Sequence, residues 1–79
     1  MRKEEITKLY EHIFIRLGSR ASIITVGFEA QELLNGVSML HYSGIMSNRD
    51  FTNMTGYIIG IAEDRIKTLN YERLQKDDK

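Results

Sequence analysis

Residues 21–36, "ASIITVGFEAQELLNG", decide the fold of this 79-residue chain. Read as a strand, Ile24, Val26 and Phe28 alternate with Ile23, Thr25 and Gly27 in a stretch rich in β-branched residues. Read as a helix, Ser22 is the N-cap, and Ile23, Val26, Ala30, Leu33 and Leu34 share a face that continues to Val37. "EAQELL" is a strong helix-forming run. The helical reading is preferred, over residues 22–35, with a stop or kink expected at Asn35-Gly36. The "VSMLHYS" that follows shows no alternation and reads as a short helical piece over 37–44. The class is then all-α, a small three-helix bundle; a strand at 22–28 would make it α+β instead.

The flanking segments support the helical class. On the amino-terminal side, Ile6, Leu9, Tyr10, Ile13 and Leu17 form one stripe at helical spacing, with Glu4, Glu5, Lys8, Glu11 and His12 opposite. A helix over residues 3–17 follows, with Gly18 where a C′ glycine belongs. Ile15 alone breaks the pattern, in the middle of the polar face. On the carboxyl-terminal side, Ser47 or Asn48 caps a helix whose first turn carries Asp50. Phe51, Met54, Thr55, Ile58, Ala62, Ile66 and Leu69 line one face of it. The stripe fails at Glu72 and Arg73, so this helix is expected over 48–70, with 71–79 as a frayed tail. No proline and no linker composition divides the chain, which reads as a single domain, 1–79.

Eleven basic and eleven acidic residues leave no net charge, and the chain has no cysteine. Nonspecific nucleic-acid binding normally shows a basic excess, which is lacking. Without cysteine there is neither a disulfide nor a thiolate zinc site, and His12 and His41 are too few for a histidine centre. Charge is also unevenly placed. Residues 21–48 carry only Glu29 and Glu32, which marks that stretch as buried against its own chain or another. It is no membrane span: its longest uncharged run, Leu33–Asn48, has 16 residues, whereas a span needs about 20 mostly apolar ones. The first residues lack the apolar core of a signal peptide, so the expected compartment is the cytoplasm.

No catalytic constellation emerges. His41 and Ser43 lie two residues apart, which points them in different directions on a helix, and no phosphate loop, nucleophile elbow or zinc-protease motif is present. His41 reads as a core or interface histidine. Glu29 and Glu32 have no histidine at helical spacing and read poorly as metal ligands. Neither enzyme activity nor a cofactor is expected.

What remains is recognition of protein. A domain of this size buries only about 60–65% of its unfolded surface, too little interior for every apolar side chain present. Ile15, Ile24, Phe28, Met39, Tyr42 and Met46 all fall off the core stripes, and methionine and tyrosine are common in interface cores. Gly56 and Gly60, flanked by Tyr57 and Ile59, form a small-residue groove opposite the core stripe of the last helix, where another backbone could approach closely. The expected function is therefore a non-enzymatic interaction module, homodimeric, that regulates, adapts or inhibits by covering a protein partner, in the style of small proteins from phages and other mobile elements. The alternative is a DNA-binding transcriptional regulator that reads bases with the helix starting at 48–50, using Asn48, Arg49, Thr52 and Asn53 with support from Arg16 and Arg20.

Overall fold

The computed structural model describes residues 1–77 and consists of three helices: α1 (Lys3–Gly18), α2 (Ile23–Tyr42) and α3 (Asn48–Asp77). No strand forms among the described residues, and the ambiguous stretch 22–28 is the start of α2. Short connections at 19–22 and 43–47 make the chain run up, down and up, so the amino terminus returns to the second connection, where its ammonium donates to the Ile45 carbonyl. α2 and α3 share the most extensive packing.

The caps explain where the helices begin and end. Ser22 accepts from the Thr25 N–H at 3.2 Å, and the Thr25 hydroxyl accepts from the Ser22 N–H at 3.3 Å, a reciprocal capping box. The Ser47 hydroxyl accepts from the Asp50 N–H and so starts α3. α2 ends in a Schellman motif: the Ile45 N–H reaches the Leu40 carbonyl and the Gly44 N–H reaches that of His41. Gly44 holds φ at +82°, where a side chain would crowd the backbone.

Three expected boundaries need correction. α2 runs unbroken through Asn35-Gly36 to Tyr42, so that residues 37–42 of the expected short piece belong to it and 43–44 form the turn that ends it. One glycine costs a helix only about 1 kcal/mol relative to alanine, which the packing of Leu33, Leu34, Val37 and Leu40 on both sides outweighs. Gly18 is not a C′ residue but the last residue of α1, with Ser19 as its cap in the right-handed region. α3 continues to Asp77 rather than stopping near 70, so residues 71–77 are helical; residues 78–79 of the expected tail lie outside the described residues. Its packing nevertheless ends at Leu69. Beyond it the helix rests on good helix formers and a Gln75–Tyr71 hydrogen bond, and the overhang lengthens the molecule to 52 Å.

The core joins Ile13 and Leu17 of α1, Val26 and Val37 of α2, and Met54, Ile58 and Ala62 of α3, with Met46 from the second connection closing one end. Tyr10 meets Tyr57 edge to face at 4.9 Å. His41 stacks on Phe51 at 4.3 Å while its Nε2 pairs with the Asn48 side chain, tying the end of α2 to the start of α3.

Two glycines, Gly36 within α2 and Gly44 in the turn that ends it, give opposite expectations. Gly44→Ala should cost about 1–2 kcal/mol, whereas Gly36→Ala, within the helix and with open space around it, should stabilise by about 0.5–1 kcal/mol. Urea denaturation of both variants checks this; a neutral Gly44→Ala would contradict the end of α2 described here.

Candidate functional site

One buried charge organises the first corner of the bundle. Glu29, on the α1-facing side of α2, is buried, and its two carboxylate oxygens receive Arg16 and Arg20, the latter at 2.9 Å. Both arginines keep more than a third of their side chains in water. The hydrogen bond from Arg16 holds the Glu29 carboxyl below its usual range, and burial opposes this; the charges of Arg16 and Arg20 add to the lowering. Arg16 is raised in turn, first by the hydrogen bond to Glu29. Arg65 of α3 then clamps the Arg20 carbonyl with two bonds of 3.1 and 3.0 Å, so all three helices meet at this corner.

With Glu29, Val26, Leu33 and Val37 turned inward, the opposite side of α2 faces solvent. Ile24, Phe28, Met39 and Tyr42 lie there, each 70–85% exposed. Between them sit Gln31 and Asn35, whose side chains hydrogen-bond at 3.0 Å. This face is about 30 Å long at 1.5 Å per residue, and its only charge is Glu32. A second apolar patch lies on α1, where Phe14 and Ile15 are 59% and 65% exposed and, with Thr7, Tyr10, Glu11 and Tyr57, line an open groove of about 430 Å³.

The expected interface residues thus separate. Phe28, Met39 and Tyr42 share the outward face of α2, and Ile15 occupies the α1 patch. Tyr57 is half-buried against Tyr10 and lines part of that groove. Gly56, Gly60 and Ile59 are exposed on the outer side of α3, and an added Cβ at either glycine would meet nothing; the fold itself does not require glycine there. Met46 is corrected: it is buried in the core, because the Schellman turn directs the chain back and the Met46 N–H bonds the Leu40 carbonyl. Phe14 was not foreseen, although its place at the rim of the α1 stripe carried the signal. Nor was the role of Glu29, a lone acid on an apolar stripe following two arginines.

The residues of the nucleic-acid alternative do not come together. Arg16 and Arg20 stand at the first corner on Glu29, while Arg49, Thr52 and Asn53 are exposed near the second connection and Asn48 is engaged with His41. The full length of α2, about 30 Å, lies between the two groups. His41 and Ser43 also take separate partners, Asn48 and the Leu40 carbonyl. Among the described residues, no three acidic or histidine side chains gather as a metal site, and no helix is long and apolar enough to cross a membrane.

Comparison with known proteins gives no lead: no family model, no curated protein and no solved structure matches the chain.

Because the folded carboxyl of Glu29 titrates below its unfolded value, its contribution is present in full above the ordinary carboxylate range, near pH 4.3, and is lost as pH falls through the lowered value. Glu29→Gln should cost about 1–2 kcal/mol, the low end for charge-assisted bonds because water screens the arginines, and should flatten stability between pH 5 and pH 3 on the order of one carboxylate's share. Thermal denaturation across that range checks both; an unaltered acid limb would contradict the pairing.

Proposed function

We propose that this chain is a non-enzymatic protein-interaction module that acts as a regulator, adaptor or inhibitor by covering a surface on a protein partner. The observation that carries this reading is the outward face of α2: four large apolar side chains, each at least 70% exposed, in line along one helix whose other face already completes the core. Scattered exposed hydrophobics are ordinary, but an aligned group with a polar rim marks an interaction surface. The α1 patch of Phe14 and Ile15 adds a second contact on another side of the bundle.

Two patches suit a module that contacts more than one surface. Apolar side chains on rigid helices need little reordering on binding, which lowers the entropic cost of association. The flexible thioether of Met39 adapts to the shape it meets. The nucleic-acid alternative has the exposed first turns of α3 in its favour, but the two arginines it calls on for support, Arg16 and Arg20, are paired with Glu29 at the opposite end of α2.

Affinity capture from the source cell's lysate, with and without nuclease, tests the reading. A stoichiometric protein partner that survives nuclease is expected, and Ile15→Glu should reduce its capture roughly tenfold or more while shifting stability by no more than about 0.5 kcal/mol. Partners that vanish with nuclease would instead support the regulator that reads DNA through α3.

A further inference from the structure

The geometry points to a second copy of this chain as the occupant of the outward face of α2, lying antiparallel across a two-fold axis near position 33. This deepens the proposed function and rests on its reading of that face as an interaction surface. The argument is one of self-complementarity. A two-fold interface presents the same patch twice, so the patch must match itself when reversed. Along α2 the outward residues run Ile24, Phe28, Gln31, Asn35, Met39, Tyr42. The numbers of Ile24 and Tyr42 sum to 66, as do those of Gln31 and Asn35, and those of Phe28 and Met39 to 67. Reversal about position 33 therefore sets apolar ends on apolar ends and amides on amides. A parallel pairing would also match like with like, setting each of these side chains against its own copy, and the crosslinking below separates the two arrangements.

Three further features fit this occupant. The side-chain amides of Gln31 and Asn35 bond to each other through one donor and one acceptor, which leaves each with capacity for the partner's amides across the axis. The single charge on this face, Glu32, lies toward its edge, so the row from Ile24 to Tyr42 is itself uncharged. Finally, α2 would have both of its apolar sides covered, one in the core and one against the second copy. The four exposed side chains offer on the order of 600 Å² per copy, given roughly 150–250 Å² for each large residue, and a pair of copies thus reaches about 1,200 Å², the lower bound of stable interfaces. Such a pair lies at the small end of stable interfaces. It leaves Phe14 and Ile15 of each copy free for a different protein.

The absence of cysteine from the chain allows a direct test. Sedimentation equilibrium at tens of micromolar chain should give twice the 9.2 kDa chain mass, and Phe28→Glu should weaken the dimer at least tenfold with helicity retained. Copies carrying Ile24→Cys, mixed with mass-tagged copies carrying Tyr42→Cys and oxidised, should yield the mixed disulfide in preference to either like pair. A monomeric wild type, a dimer indifferent to Phe28→Glu, or a dominant like pair at position 24 would each overturn the inference. A monomer that still captures a protein partner would do so while leaving the interaction module intact. A crosslinked dimer that captures nothing would keep the inference and count against that module.

Discussion

The placement of Glu29 governs the rest of the structure. α2 is apolar on two sides, and hydrophobic burial alone has little direction; either side could face the core. A carboxylate needs partners before it can leave water, and only the orientation that turns Glu29 toward α1 supplies Arg16 and Arg20. That requirement sets the rotation of α2 about its own axis. It sends Val26, Leu33 and Val37 inward and leaves Ile24, Phe28, Met39 and Tyr42 outside. Arg65 extends the same corner to α3 by holding the Arg20 carbonyl, so the charge cluster orients all three helices rather than one pair.

The outward face follows from size as much as from orientation. Three short helices enclose a core of a few residues from each, closed at one end by Met46. In a domain this small there is no further interior for side chains as large as Phe14, Phe28 and Tyr42. Such residues weaken solubility when unpartnered, and the alignment of Ile24, Phe28, Met39 and Tyr42 on one face of α2 is what separates these from incidental exposure. Their exposure and the buried carboxylate are two results of one arrangement.

Much of this was legible in local sequence, for physical reasons. The core stripes of α1 and α3 depend only on the 3.6-residue period, and Ile13, Leu17, Met54, Ile58 and Ala62 are buried as that period requires. Ser22 and Ser47 cap through bonds three residues long, which sequence shows directly. The misread features depend on distant partners or on small energy differences. Whether Gly36 interrupts a helix depends on the packing around it, and whether Gly18 or Gly44 takes a positive φ depends on the path of the chain beyond. Met46 reads from sequence as an interface residue because its burial comes from a turn closing over the end of the bundle. The pairing of Glu29 with Arg16 and Arg20 spans the first connection and has no local signature beyond an acid set in an apolar stripe.

The central claim is that α2 is held with one apolar face in the core and the other outward for recognition. Methyl NMR with a soluble paramagnetic probe, followed through a dilution series, tests it most directly. At high dilution the methyls of Ile24 and Met39 should relax strongly while those of Ile13, Met54 and Ile58 do not, and Ile24 and Met39 should regain protection as the protein is concentrated. If Ile24 and Met39 were as protected as Ile13 and Met54 at every concentration, the rotation of α2 fixed by Glu29 would be wrong, and with it the outward face.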